Sequence, residues 1–231
     1  MSKKKSTSKL IPLIIEWRSK WMLEKEWEKK SLPSLREGMK NINDHTRLAA
    51  VSAIGAGIFT PLEFNSEDDE TEERKYEYQL LEDIKELLYD PSSYVSLAAA
   101  VTLFSINRST DKAVAVLMKT VKDALPDERW LAVQCLVEYD HHDDCIVIEL
   151  IRCIFNEEDS FKQEEAKHML KRLSAWSSSI IYLVAEKLNS TSWKYRTVAC
   201  QILSFLNEEV SEDIANKLCH LSWNDWSPGK K

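Results

Sequence analysis

Apolar residues recur along this chain at helical intervals, and the pattern itself repeats. An alanine is followed four residues later by a large aliphatic side chain at Ala50/Ile54, Ala99/Leu103, Ala132/Leu136, Ala166/Leu170 and Ala199/Leu203. Residues four apart share one helical face. The alanines stand 49, 33, 34 and 33 residues apart. Eighteen, fifteen and eleven residues upstream lie Leu32/Leu35/Met39, Leu81/Ile84/Leu88, Val114/Leu117/Val121, Ile148/Ile151/Phe155 and Ile181/Val184/Leu188. All fifteen positions are apolar, at the spacing of a second, preceding helix. Each unit is therefore predicted to be two amphipathic helices, A then B, joined by a short turn.

The turns carry helix-start chemistry. Asp90-Pro91 reads as an N-cap with proline at the first helical position. Ser160 and Gln163 have capping-box spacing. Asp111, Ser211 and Ser177–Ser179 fall where A helices are due to begin. The single long gap of 49 is explained by an insertion after the first B helix, at about residues 59–75. Residues 63–77 hold eight acids and two bases, so an exposed loop is expected there.

Ahead of the repeats, residues 1–9 read as a basic disordered tail and residues 10–30 as one further helix. In the latter, Ile14, Trp17 and Trp21 form a stripe that either caps the first unit or docks a partner through tryptophan anchors. The repeats run over 31–222 as five full units and half of a sixth. Residues 223–231, with Trp223, Trp226 and Pro228, read as a truncated turn or tail, and a sixth A helix without its B helix predicts a longer protein.

Composition agrees with helix throughout. The chain of 231 residues has only four glycines, where about 7% is usual. Glycine supplies positive φ for tight turns and phosphate loops, so hairpin-rich folds, dinucleotide folds and P-loops are disfavoured. The net charge is −7, of which residues 63–77 contribute −6, leaving the body nearly neutral. That balance disfavours a general nucleic-acid binder. Five cysteines without framework spacing suit a reducing compartment. No apolar run reaches the roughly 18 residues of a membrane span. An intracellular, cytoplasmic protein is expected.

The period and the B-helix starts together carry a resemblance. Ankyrin and tetratricopeptide signatures are not repeated. Instead, an acidic residue in the A–B turn is followed by arginine six positions on and alanine three later. Asp123/Arg129/Ala132 shows this fully, and Asn41/Arg47/Ala50 shows it with asparagine. Asp90/Ser96/Ala99 and Ser190/Arg196/Ala199 each keep one polar partner, and Glu157/Gln163/Ala166 is weaker. The chain thus resembles the HEAT-repeat family, including the shorter-period arrays of bilin-lyase-like proteins. The resemblance implies an all-α fold, an α-solenoid of antiparallel helix pairs in a HEAT-like or armadillo-type superhelix. It also implies that Asp90, Asp123, Arg47, Arg129 and Arg196 are structural links between units. A looser likeness to a HEAT repeat-containing protein implies a ciliary or axonemal setting.

Few residues suggest chemistry. His141, His142, Asp143, Asp144 and Cys145 are metal-ligand types, but a structural zinc site needs four converging ligands, so a polar loop with Asp143 or Asp144 capping the next helix is the expectation. Cys135 and the other cysteines read as core residues, and His168 as exposed. The fourth B helix is rich in charge, with Lys162, Lys167, Lys171 and Arg172, followed by Lys194 on the fifth. These form either a solvated face or a basic patch for an acidic protein segment or phosphate. Trp130 and Trp193 either pack between units or anchor a partner. The expected function is a non-enzymatic scaffold that binds other proteins, without cofactor, metal or small-molecule ligand. The alternatives are a lyase-like or hydrolytic enzyme built on the repeats, and a nucleic-acid binder.

Overall fold

The computed structural model describes residues 32–55, 72–156, 159–174, 179–206 and 211–224. These residues form helices and turns, with no strand among them. In chain order the helices are α1 (Leu32–Met39), α2 (Asp44–Ala53), α3 (Glu72–Glu86), α4 (Ser93–Ser105), α5 (Asp111–Asp123), α6 (Pro126–Glu138), α7 (Asp144–Asn156), α8 (Ser160–Ser174), α9 (Ser179–Glu186), α10 (Trp193–Leu206) and α11 (Glu212–Asn224). A 3-10 turn extends α3 over Leu87–Tyr89, and another extends α9 over Lys187–Asn189. The A helices are α1, α3, α5, α7, α9 and α11; the B helices are α2, α4, α6, α8 and α10. Each of the first five A helices packs against the B helix that follows it. The chain divides into two compact units, one ending at Tyr139 and the other beginning at Asp140.

The repeated alanine is a core position of every B helix. Ala50, Ala99, Ala132, Ala166 and Ala199 are all fully buried, and the aliphatic residue four positions on is buried in each case. A methyl group there lets neighbouring helices approach closely, while the aliphatic partner supplies area worth about 1.5–3 kcal/mol per side chain. On the A helices, Leu35, Ile84, Leu117, Ile151 and Val184 are buried as their register requires. The position three residues earlier is not uniformly a core position: Ile181 is buried, but the others described are not. Ile148 is 54% exposed there, and Leu81 and Val114 are half-buried. At 100° per residue this site lies at the edge of the apolar stripe.

The A–B turns explain why Asn, Asp and Ser recur nine residues before the alanine. Asn41 and Asp90 accept from the amides of Asn43 and Ser92 through Oδ1, both at 2.9 Å, and Ser190 accepts from the Ser192 amide through Oγ at 3.2 Å. Such side-chain turns satisfy backbone donors that the bend leaves free. The arginine six positions on folds back over the same turn. Arg47 Nη1 donates to the carbonyls of Asn41 and Ile42 at 2.8 and 2.9 Å, and Arg196 Nη1 to those of Ser190 and Thr191 at 2.9 and 3.0 Å. Arg129 Nη1 donates to the Ala124 carbonyl at 3.1 Å.

Arg47 also reaches the next A–B turn. Its Nε and Nη2 donate to the two oxygens of Asp90 at 2.6 and 2.9 Å. The pair joins the first B helix to the turn before the second. Asp123 does not take part in such a pair and is exposed. The arginine position of the unit before it is occupied by Ser96, too short to reach across.

Several helix starts differ from expectation. Asp90 does not cap α4, which begins at Ser93; its carboxylate is committed to Arg47 and to the Ser92 amide. Ser160 is the first residue of α8 rather than its cap, because Asp159 Oδ1 takes the Phe161 amide at 2.9 Å. Thr110, one residue before Asp111, caps α5 by accepting from the Ala113 amide. Asp143 accepts from the Cys145 amide at 2.9 Å ahead of α7, the capping role foreseen for it. The helix α3 begins at Glu72, inside the span expected to be loop.

Within the first unit, two further links tie successive pairs. Asp83 of α3 is held by Arg36 of α1 and by Lys40 just beyond that helix, the latter at 2.9 Å. Burial alone would raise that carboxyl, but the hydrogen bonds from Arg36 and Lys40 outweigh it and hold it below the usual range. Tyr139 donates its hydroxyl to the Phe104 carbonyl, and the two rings meet edge to face at 4.8 Å. The chain beyond α4 turns on Asn107 at φ 59°, and beyond α6 on Asp140 at φ 58°. These are the left-handed positions where glycine is usual, which lets a glycine-poor chain still end its helices.

Candidate interaction surface

The B helices of the second unit leave one face open. On α8 the exposed residues include Phe161, Glu164, His168 and Lys171, and on α10 they include Lys194, Thr197, Gln201 and Ser204. The two sets match one for one at a shift of 33 residues. Their spacing of three or four keeps each set on a single helical stripe. The α8 stripe begins at Phe161, which is 74% exposed; its counterpart on α10 is Lys194, and Trp193, one residue before it, is 63% exposed. The remainder of the face is polar.

The expected basic patch is only partly assembled. Lys171, Arg172 and Lys194 are exposed, with Lys171 and Lys194 on these stripes and Arg172 at their edge. Arg172 Nη2 donates to Asp140 Oδ1 at 2.6 Å, which ties it to the start of its own unit. Lys162 and Lys167 stand on the flanks of α8 and are half-buried, Lys167 pairing with Glu164 at 2.5 Å. The Lys167 hydrogen bond holds the Glu164 carboxyl below the usual range. His168 is exposed, as expected. Acidic, basic, hydroxyl and amide groups are mixed on the face, which carries no uniform positive field.

Trp130 belongs to the first unit, where it is half-buried on α6. Trp17 and Trp21 lie outside the described residues. The cysteines depart from a uniform core role. Cys135 and Cys153 are buried, Cys145 and Cys200 are half-buried, and Cys219 is exposed. Cys219 falls on the outer side of α11, opposite Ile214 of the buried stripe. Burial pushes the Cys135 thiol well above its ordinary pKa, which suits an inert core residue.

Other chemistry is sparse. Among the described residues, no three His, Cys, Asp or Glu side chains gather to hold a metal ion. No described helix is long and apolar enough to cross a membrane. Two buried polar groups escaped the sequence reading. Glu128, in the first turn of α6, has both carboxylate oxygens buried without a hydrogen-bond partner, and Ser52 Oγ on α2 is likewise buried and unpartnered. Thr102 is also buried, donating to the Val51 carbonyl at 3.1 Å and so joining α4 to α2. Glu128 lies between Asp127 and Arg129, where local charge gave no signal of burial. No protein-family model matches the chain.

Proposed function

We propose that this chain is a HEAT-like α-solenoid that acts as a non-enzymatic protein-interaction module. In this reading the helix pairs stack through the alanine face, and the open stripes of α8 and α10 receive an extended segment of a partner protein. The observation that carries the reading is the register of those stripes. Two successive B helices expose equivalent residues 33 positions apart, with an exposed aromatic, Phe161 or Trp193, near the start of each helix. Repeats of this kind form extended binding surfaces because each unit adds one equivalent strip. The aromatics would supply apolar anchors, and Gln201, the hydroxyls of Thr197 and Ser204, and Lys171 would pair with backbone and acidic groups of the partner.

The test is quantitative co-purification from tissue expressing the full chain, with wild type against Trp193→Ala/Lys171→Glu. The module reading expects one or more proteins retained by wild type and reduced at least tenfold by the double variant. Equal retention by both would move the interaction off this face. Turnover of a small-molecule substrate, or binding to nucleic acid with a steep salt dependence, would replace the reading altogether.

A further inference from the structure

Charge in the second unit is sorted by helix type. The B helices α8 and α10 together hold six lysines and arginines against two glutamates, a net +4. The A helices α7, α9 and α11 hold two bases against five acids, a net −3. The first unit does not share this sorting, since its B helices α2, α4 and α6 sum to −2. It also closes the stripe that the second unit leaves open: Leu97, Val101 and Phe104 are buried on α4 where Glu164, His168 and Lys171 stand exposed on α8. A chain of net −7 thus places cations on the two helices that form its open face. Local pairing decides how much of that charge a visitor meets. Glu164 is taken by Lys167 at 2.5 Å, and Arg172 by Asp140 at 2.6 Å. Arg196 is turned onto the carbonyls of Ser190 and Thr191. Lys171 and Lys194 are the exposed cations on the stripes themselves.

We infer that the segment received by α8 and α10 is acidic: an extended stretch of a partner protein whose carboxylates meet Lys194 and Lys171 and whose apolar side chain lies against Phe161 and Trp193. The inference rests on the module reading above and specifies its partner. The helix starts fix the register. Tyr195 at the start of α10 donates its hydroxyl to Asn156 Oδ1 at 2.6 Å and meets the Phe155 ring edge to face at 5.3 Å. The start of α10 therefore lies beside the turn that leads into α8, which gathers Phe161, Trp193 and Lys194 at one end of the face. Lys171 stands ten residues beyond Phe161 on α8, about 15 Å along the axis. With packed helices about 8–10 Å apart, the diagonal from Lys194 to Lys171 is about 17–18 Å. An extended chain rising about 3.3 Å per residue covers that distance in about five or six residues.

Charge sets the sign of the partner, while the aromatics supply most of the attraction. Exposed ion pairs stabilise little by themselves, but like charges brought together exclude a wrong partner. A basic segment would meet Lys171 and Lys194, with Glu164 already neutralised by Lys167. A nucleic-acid backbone is charged at every step and suits an uninterrupted positive surface. Glu164 and Glu165 interrupt this one, whereas carboxylates carried on single side chains can be spaced to match it.

A random peptide library displayed on phage, selected on the immobilised full chain, provides the test. Parallel selections use Trp193→Ala and the double variant Lys171→Glu/Lys194→Glu. Wild type should enrich peptides that carry a large apolar residue and two acidic residues about five or six positions apart. A synthetic copy of such a peptide should bind the charge-reversed variant at least about tenfold more weakly. Lysine in place of the peptide's acids should restore binding to that variant, which also shows the variant to be folded. Peptides that need Trp193 but carry no acidic residues would overturn this inference and leave the module reading standing. Peptides indifferent to both variants, or no enrichment at all, would overturn the two together. Displacement of the acidic peptide by a lower concentration of a single-stranded oligonucleotide would reassign the cations to nucleic acid and overturn the inference. A gain of about tenfold in peptide affinity on deletion of residues 63–70 would overturn it in favour of the chain's own acidic run.

Discussion

Replacing Arg47 by alanine probes the link between the first two helix pairs. Arg47 makes two charge-assisted hydrogen bonds to Asp90 and two to the turn carbonyls of Asn41 and Ile42. The side chains of Arg47 and Asp90 are 13% and 5% exposed. Removing one member of a buried ion pair costs about 3–5 kcal/mol, largely because the other charge is stranded. Asp90 keeps the Ser92 amide and sits at a turn that water can reach, so Arg47→Ala should fall at the low end, about 3 kcal/mol. Asp90→Asn should cost less, about 1.5–2 kcal/mol, because the amide oxygen preserves the turn as Asn41 does and only charge assistance is lost. Urea unfolding of both single variants and the double variant gives the coupling energy. Hydrogen exchange locates the loss, which should be confined to α1–α4 and leave α7–α11 unchanged. A cost below about 1 kcal/mol for Arg47→Ala, or strictly additive single variants, would refute the argument that this pair clips the turns together.

Asp83 gives a pH dependence. Its folded carboxyl is held below the ordinary value, so its contribution is present above that value and disappears as pH falls through the folded one. The thermal midpoint of Asp83→Asn should lie below that of wild type at pH 6, and the two should converge as the pH is taken toward 2.5; a constant difference would show that the ion pairs with Arg36 and Lys40 contribute nothing. Ala132→Asp places an unpaired charge at a fully buried helix contact and should cost more than about 4 kcal/mol, read as loss of the cooperative unfolding transition of the first unit. Glu128→Leu should raise stability by about 1–3 kcal/mol in the same assay, since an unpartnered buried carboxylate gives way to hydrocarbon; a loss would reveal a partner for Glu128.

The helix pairs were legible because one constraint recurs. A small residue with an aliphatic partner four positions on, preceded by a second apolar stripe, leaves little alternative to paired helices, and all five alanines are buried. Cap positions were less legible. Asp90 has cap chemistry, but Arg47 claims it from 43 residues away, and local sequence does not contain that competition. The helix α3 starts within the acidic span because Glu72 and its neighbours favour helix once Leu80 and Ile84 are anchored in the core. The asymmetry between the units did leave a trace. Leu97, Val101 and Phe104 stand where Glu164, His168 and Lys171 stand two units later, and a B helix without a polar stripe already signals a covered face. The apolar periodicity masked it, since Leu97 to Phe104 are buried without a break. The open face of the second unit was foreseen as charge, but the flanking positions of Lys162 and Lys167 follow from angles around α8 that composition does not reveal.

The interaction account rests on which surface of the second unit meets a partner. Ile148 on α7 and Tyr182 on α9 are also exposed apolar groups, on the A helices, and offer a direct rival. A photo-crosslinking residue placed in the full chain at Thr197 on the open stripe, or at Tyr182, distinguishes them in cells. The account expects a discrete crosslinked partner from position 197, lost when Trp193→Ala is added, and no such adduct from position 182. A partner captured from position 182 and not from 197 would contradict it.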